Sequence, residues 1–299
     1  EQLWLRHKYG MAKGDIHDFE DLQLYLGQAA GSQLPLVRYT YTDKESMFDR
    51  ISYQKGGAIL HYLHGLMGDE AFYKAMHLYL TRNALQSAEV AHWRLAVEEV
   101  TGQDWSWFFN QWYFRGGHPE LDIKYGYDEK QLTVTVTQKQ DSMYVLPLKT
   151  ELVYGVEKQT IDWYLKKKKE VFVYPYKNGV APLIIPDTRQ WLVGTITEDK
   201  KPADWRKQFD ASKDNILGRL YAMRGVRKQL DDTTTPSIYN LALRDKDAYI
   251  RTYILRMMKA YANGKKWEDK WRADVVFAAT NDIDVQVRAA AIELLGTWN

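Results

Sequence analysis

The sequence predicts a multi-domain α+β protein in which a helical segment is followed by a small antiparallel β-sandwich and then by a second helical segment. Three observations support this prediction. Apolar residues recur every three or four positions up to about residue 118, which is the period of an amphipathic helix. From Pro119 to about residue 200 they alternate with polar residues, as in strands, and beyond residue 200 the helical period returns. The predicted domains are therefore residues 1–118, 119–200 and 201–299.

Bulk composition excludes several classes of function. The chain has 299 residues, enough for two or three compact domains. Its 41 basic and 39 acidic residues leave a net charge of +2, which disfavours binding to nucleic acid through phosphate neutralisation. The absence of cysteine excludes disulfides and thiolate chemistry, and it is compatible with either a cytoplasmic or an exported location. No apolar run approaches the length of a membrane helix, so we expect a soluble protein without a membrane span.

Residues 1–8 are expected to be the middle of an amphipathic helix, and the first helical segment is expected to contain four later helices, at residues 58–67, 70–81, 90–100 and 105–114. Gly68 is expected to end the first of these four. Asp69, Ser87 and Asp104 are the expected N-caps of the others. The buried face of the helix at 70–81 is predicted to comprise Phe72, Met76, Tyr79 and Leu80.

The predicted sandwich consists of about seven short strands separated by proline, glycine and asparagine turns. The strand candidates are residues 121–127, 132–136, 148–154, 160–166, 171–176 and 190–196. Their regular spacing over some eighty residues is typical of an antiparallel sandwich.

The last segment contains an internal repeat. Residues 245–251 and 282–288 share the pattern Asp-x-Asp-x-x-(Ile/Val)-Arg, and Asp214–Arg219 is a looser third copy. The second aspartate of each pattern is expected to cap a helix, and the arginine is expected to reach an aspartate of the neighbouring repeat. This pattern resembles HEAT or armadillo-like units, so residues 201–299 are predicted to begin an α-solenoid.

A search for common catalytic motifs gives mostly negative results. None of the seven histidines begins a His-Glu-x-x-His motif, and the chain has no P-loop, no Gly-x-Ser-x-Gly elbow and no Gly-x-Gly-x-x-Gly. His61 and His64 are three residues apart and are able to share a helix face. Without a third ligand, such a pair is more typical of a structural feature than of a metal site.

Tyr53 is the strongest candidate for a catalytic residue. It lies in the run Tyr53-Gln54-Lys55-Gly56-Gly57, just before the helix at 58–67. The run is followed by Leu66-Met67-Gly68-Asp69-Glu70-Ala71-Phe72, Thr101-Gly102-Gln103-Asp104, Gln111-Trp112 and Gly117-His118-Pro119. This order and spacing resembles the back half of the catalytic domain of zinc aminopeptidases of the aminopeptidase N and leukotriene hydrolase type, the gluzincin metallopeptidases.

The resemblance extends along the chain. In that family a thermolysin-like catalytic domain is followed by a small β-sandwich and a helical-repeat domain, so residues 1–118 would be the helical end of the catalytic domain. The tyrosine that matches Tyr53 donates a hydrogen bond to the oxyanion formed when zinc-bound water attacks the scissile carbonyl. The resemblance thus implies a hydrolase that removes N-terminal residues from peptide substrates.

The chain departs from the family at the metal site. The family's zinc-binding histidines and general-base glutamate would precede Glu1, and no zinc role is carried over to Glu1 itself. We therefore expect a fragment that holds no zinc or other cofactor, contacts a missing N-terminal half and is inactive alone, while the intact parent uses zinc.

Alternatives to this interpretation stay open. A tyrosine before a helix commonly packs on the first helical turn, and a chain without catalytic function is able to serve as a peptide-binding or protein-binding scaffold built on the sandwich and repeats. The aromatic cluster between Trp105 and Phe114 is either a carbohydrate-stacking platform or, as we expect, a core and interface cluster. Arg115 lies near the edge of the predicted catalytic domain and receives no role.

Overall fold

The computed structural model describes residues 1–29, 33–227, 234–259 and 265–298. The chain forms two compact units, residues 1–199 and 200–299. The first unit combines helices with two small sheets and the second is helical, which confirms the α+β class. Within the described ranges, no helix is long and apolar enough to cross a membrane.

The helices of the first unit pack around a core of aromatic side chains. Their bounds are α1 Gln2–Tyr9, α2 Met11–Ala29, α3 Gly56–Met67, α4 Asp69–Arg82, α5 Val90–Thr101 and α6 Ser106–Trp112. Tyr62 of α3 is fully buried, and its ring centroid lies 5.6 Å from that of Trp112 and 5.8 Å from that of Phe108, both in α6. These edge and tilted contacts fix α3 against α6.

The structure corrects several details of the helix predictions. The 19-residue helix α2 was not predicted, and α6 begins at Ser106 with Trp105, rather than Asp104, at its N-cap. Asp69 is the first residue of α4 rather than its cap, and its carboxylate lies 2.7 Å from Nε2 of His64. Ser87 does not cap α5, which begins after Glu89, whose N–H donates to Nδ1 of His92 at 2.9 Å. Leu80 is 60% exposed rather than buried.

Two sheets follow the helices. The strands are β1 Glu120–Tyr127, β2 Gln131–Gln138, β3 Leu146–Tyr154, β4 Glu157–Leu165, β5 Lys169–Pro175, β6 Leu183–Pro186 and β7 Thr195–Glu198. One sheet has the order β5-β2-β1-β7 and the other the order β4-β3-β6. The rings of Trp163 in β4 and Phe172 in β5 stack between the sheets with centroids 5.0 Å apart. Alternate residues of β2 face this core, as their period of two predicts.

The sheet prediction was wrong in two respects. β1 and β7 pair in parallel, so the sandwich is not wholly antiparallel. The strand predicted at 190–196 is mostly a loop, and the missed strand β6 lies before it. The carboxylate of Asp187 accepts the N–H groups of Trp191 at 2.8 Å and of Leu192 at 3.0 Å, which turns the chain away from a strand path. The buried Leu192 and Val193 produced the apparent strand pattern.

The second unit is formed by α7 Pro202–Ala211, α8 Ile216–Arg227, α9 Thr234–Leu243, α10 Ala248–Lys259, α11 Lys265–Asn281 and α12 Val285–Leu295. The predicted cap of α12 is confirmed, since the Asp284 carboxylate accepts the N–H groups of Gln286 and Val287. The predicted links between repeats are also present, from Arg219 to Asp247 and from Arg251 to Asp282. The domain boundaries 1–118, 119–200 and 201–299 and the HEAT-like class of the repeats stay predictions.

Candidate functional site

Tyr53 lies in a π-helical turn, Ile51–Lys55, that continues directly into α3. The N–H of Gly56 donates to the carbonyl of Ile51, five residues earlier. Single π-helical turns of this kind interrupt or begin α-helices and are frequent at functional sites. The sequence predicted a residue just before the helix, and the structure places Tyr53 inside this wider turn.

The side chain of Tyr53 is open to solvent. It is 56% exposed, and no partner for its hydroxyl occurs among the described residues. Its ring lies 6.1 Å from that of Phe48, which is also exposed, at 67%. The O–H of Tyr53 is therefore available to a ligand.

A short hydrogen-bond network holds the backbone of the turn. The Asp49 carbonyl accepts the N–H of Tyr53 at 3.1 Å, and the Asp49 carboxylate accepts the N–H of Ser52 at 2.8 Å. Arg38 donates to the same carboxylate at 2.6 Å. Burial alone would raise the pKa of Asp49, but the hydrogen bonds from Arg38 and Ser52 outweigh it and the pKa is lowered. Sequence reasoning missed both residues, although an aspartate just before a helix start is a common capping signal.

Lys55 is buried, whereas Tyr53, two residues earlier, is exposed to solvent. Its side chain is fully buried, and Nζ lies 5.8 Å from the centroid of the Tyr25 ring without a hydrogen-bond acceptor in the described chain. Burial, with a smaller contribution from Arg115, lowers the pKa of Lys55 to about 8. At Gly57, a Cβ would lie 3.0 Å from Nε2 of Gln2, so this glycine lets α1 approach α3 closely. The Tyr-x-Lys-Gly-Gly run therefore combines one exposed side chain with packing residues.

His61 and His64 are not brought together as metal ligands. Nε2 of His61 lies 3.1 Å from the carbonyl of Arg189, whereas Nε2 of His64 lies 2.7 Å from Asp69. Burial, reinforced by the charge of Arg6, lowers the pKa of His61 to about 4. Across the described ranges no group of three or more histidine, aspartate or glutamate side chains is placed to hold a metal. These donors do not fit a zinc site.

A buried ionic cluster lies next to His61 and has a structural role. Arg6 of α1 contacts Asp15 and Asp18, both in α2 and both buried. Burial raises the pKa of Asp18 to about 6, against the lowering effect of Arg6. The cluster connects α1 to α2, and its groups are bonded to each other rather than directed at Tyr53.

The aromatic cluster of residues 105–114 is mainly core. Five of its members are almost fully buried, namely Trp105, Phe108, Phe109, Trp112 and Tyr113, which contradicts a carbohydrate platform. Arg115 stacks on the Tyr144 ring, with Cζ 3.7 Å from the centroid, and donates to the carbonyl of Met143 at 2.9 Å. It therefore packs on the loop that precedes β3.

Comparison with known proteins shows which family the segment around Tyr53 resembles. Residues 27–112, which include Tyr53, match the model of the peptidase family M1 domain. That segment therefore resembles the peptidases of family M1, which agrees with the resemblance that the Tyr53 motif series indicates. The chain is 36% identical over 90 residues to aminopeptidase N of Haemophilus influenzae and 33% identical over 89 residues to aminopeptidase N of Escherichia coli. These alignments cover 30% and 29% of this chain, respectively, and 10% of each relative.

The fold similarity extends over almost the whole chain. A crystal structure of Legionella pneumophila aminopeptidase A in complex with aspartic acid superposes with a TM-score of 0.73 and 12% sequence identity. The superposition covers 99% of this chain and 40% of that protein. The chain thus has the fold of part of an aminopeptidase and spans less than half of the length of this structural relative.

Proposed function

We propose that this chain is part of a zinc aminopeptidase that removes N-terminal residues from peptides, and that Tyr53 is its oxyanion donor. The observation that carries the proposal is the exposed Tyr53 hydroxyl, which lacks a partner in the described chain and lies within the segment that matches family M1. The turn that bears it is hydrogen-bonded to Asp49 and continues into the buried helix α3. A donor on a fixed backbone suits a task that requires a defined direction.

The chemistry of a tyrosine O–H fits this role. When water adds to a peptide carbonyl, negative charge develops on the carbonyl oxygen. A neutral O–H donor binds this charged oxygen more strongly than it binds the uncharged carbonyl oxygen of the substrate. Removing one such donor typically costs about 3 to 4 kcal/mol of transition-state stabilisation. A phenylalanine at position 53 would keep the ring and its contact with Phe48 but would lose the donor.

The histidine, aspartate and glutamate side chains of the described residues do not fit a zinc site. We propose that the zinc ligands and the general base of the intact enzyme come from outside these residues. Residues 1–299 alone are then expected to be inactive. Metal analysis of this chain, purified in the presence of zinc, should give far less than one zinc per chain. Tight one-to-one binding would contradict this part of the proposal.

The test of the catalytic role is Tyr53→Phe in the longest reading frame that contains residues 1–299. With an aminoacyl arylamide as substrate, kcat should fall about 100-fold to 1,000-fold, with little change in KM. Tyr73→Phe in α4 is the matched control, because Tyr73 is similarly exposed, and it should leave kcat unchanged. An unaltered kcat for Tyr53→Phe would refute the role, and a reading frame without aminopeptidase activity would favour a binding scaffold.

A further inference from the structure

We infer that Arg38 is a positioning residue, which holds the turn bearing Tyr53 in place through Asp49; the inference rests on the proposed function of Tyr53. Nη1 of Arg38 donates to Oδ2 of Asp49 at 2.6 Å, and Nη2 donates to Oδ1 at 3.2 Å. Nη2 also donates to Oγ of Ser52 at 2.8 Å. The guanidinium thus contacts two residues just before Tyr53. Such two-point binding fixes geometry in a way that a single contact does not.

Asp49 passes this constraint to the main chain. Its Oδ1 accepts the N–H groups of Ile51 at 3.1 Å and of Ser52 at 2.8 Å, and its carbonyl accepts the N–H of Tyr53 at 3.1 Å. The first N–H groups of a helix have no partner within the helix and need one from outside. One residue therefore satisfies three consecutive amides that end at Tyr53, and Arg38 fixes the orientation of its carboxylate.

Arg38 is in turn attached to the core. The N–H of the adjacent Val37 donates to the carbonyl of Tyr113 at 2.9 Å, and Tyr113 is buried at the end of α6. The side chain of Arg38 is only 10% exposed. The exposed pair Arg82–Glu99 between α4 and α5 has similar two-point geometry but lies in solvent. The Arg38–Asp49 pair thus links the turn of Tyr53 to the packed helices.

The position of the turn matters because the side chain of Tyr53 has little support of its own, namely one ring contact with the exposed Phe48. In the described chain its hydroxyl has no partner, and a large part of its ring is exposed. Any shift of the turn therefore moves the hydroxyl directly. A displacement of about 1 Å in a catalytic group is able to lower the rate about 100-fold. Without Arg38, the Asp49 carboxylate keeps only the N–H groups of Ile51 and Ser52 as partners, so we expect its orientation and the turn to be less firmly fixed.

The test is a double-mutant cycle of Arg38→Ala and Tyr53→Phe in the longest reading frame that contains residues 1–299. We expect Arg38→Ala to lower kcat at least about 10-fold with KM within about 2-fold. In the Tyr53→Phe background the same substitution should cause no further loss, because a residue that acts through Tyr53 has nothing left to position. Arg38→Lys, which keeps the charge but not the planar fork, should give an intermediate kcat. Arg82→Ala is the matched control and should leave kcat unchanged.

A second readout uses residues 1–299 alone and needs no activity. Arg38→Ala should accelerate amide hydrogen exchange at Ile51, Ser52 and Tyr53 at least about 10-fold while exchange within α5 stays the same. If Arg38→Ala does not fold, Arg38→Lys takes its place in both measurements.

The outcomes separate the two claims. If Tyr53→Phe leaves kcat unchanged, the proposed function fails. The positioning role of Arg38 is overturned, and the function of Tyr53 stands, in either of two cases in which Tyr53→Phe lowers kcat. In the first, Arg38→Ala leaves kcat unchanged; in the second, it lowers kcat by the same factor with tyrosine and with phenylalanine at position 53. The positioning role of Arg38 is also overturned if Arg38→Ala leaves the rate of amide hydrogen exchange at Ser52 unchanged.

Discussion

Arg251 donates two hydrogen bonds from its guanidinium to the carboxylate of Asp282, one at 2.7 Å and one at 2.8 Å. The same side chain donates to the carbonyl of Asp245 in its own repeat, at 2.8 Å. Arg219 repeats the arrangement one step earlier, with bonds to its own Ser212 carbonyl and to Asp247 of the next repeat. Each arginine thus joins the turn before its own helix to the turn of the following repeat. This link is a regular element of the second unit.

Arg251→Ala should destabilise the second unit by about 2 kcal/mol, because hydrogen bonds to charged groups are lost and the Asp282 carboxylate is left without its partner in a half-buried site. Urea unfolding of the chain measures this change. Arg244→Ala is the control, since the Arg244–Asp274 pair is exposed and its loss should cost less than about 1 kcal/mol. Equal effects of the two substitutions would show that the link between repeats contributes no more than a surface ion pair.

Asp187 should make the stability of the first unit depend on pH. Burial raises the pKa of its carboxyl from 3.8 to about 6 in the folded chain, although the N–H groups of Leu192 and Trp191 act against this. Because the folded pKa lies above the unfolded one, the native state binds the proton more tightly. The contribution is fully present below the unfolded pKa and is lost as the pH rises through about 6. A difference of this size corresponds to at most about 3 kcal/mol.

Asp187→Asn removes this titration while suiting the positive φ of 48° at that position. Relative to wild type, the variant should therefore gain stability as the pH rises from 4.5 to 7, as measured by urea unfolding at each pH. Asp162→Asn, at an exposed site, should show no such change. A constant difference between Asp187→Asn and wild type across this range would mean that Asp187 stays ionised in the folded chain.

Local signals made part of the fold predictable from the sequence. The helix α3, the alternation in β2 and the Arg251–Asp282 link follow from residue periods and a repeated motif. The loop at 187–192 was not predictable, because its path depends on the carboxylate of Asp187 rather than on any period. Leu192 is buried in this loop and would also be buried in a strand, so its apolar character does not distinguish the two structures.

In the candidate site, too, some features follow from local sequence signals and others depend on tertiary contacts. Tyr53 was identifiable because an ordered series of motifs surrounds it, although its place in a π-helical turn was not foreseen. Arg38 was not identifiable, since the segment between Arg38 and Asp49 has no regular period and the pair forms only when this segment folds back. Contacts of this kind depend on tertiary packing, which a single sequence does not display.

Gly65 should be required by the packing of α3. A Cβ at this position would lie 2.3 Å from Cε2 and 2.4 Å from Cδ2 of the Trp191 indole, well inside contact distance. Gly65→Ala should therefore destabilise the first unit by about 1 to 3 kcal/mol through overpacking, despite the better helix propensity of alanine.

Gly27→Ala in α2 is the matched control, because a Cβ there meets no atom within 4 Å. Gly27→Ala should stabilise the chain by about 0.5 kcal/mol. Thermal unfolding of both variants shows whether each substitution raises or lowers the stability. A stabilising Gly65→Ala would mean that the Trp191 indole moves aside at little cost.

Because the Tyr53 hydroxyl has no partner in the described chain, we expect its loss to have little effect on stability, whatever its role in catalysis. Tyr53→Phe should change the free energy of unfolding of residues 1–299 by less than about 0.5 kcal/mol, because the hydroxyl has no partner in the described chain. Tyr62→Phe in the neighbouring helix α3 is the comparison. The Tyr62 hydroxyl is buried and donates to the carbonyl of Pro147 at 2.8 Å, so its loss should cost about 1 to 2 kcal/mol. Urea unfolding of the two variants under the same conditions measures the contrast. If Tyr53→Phe proves as costly as Tyr62→Phe, the Tyr53 hydroxyl is bonded within the chain and serves packing rather than a bound peptide.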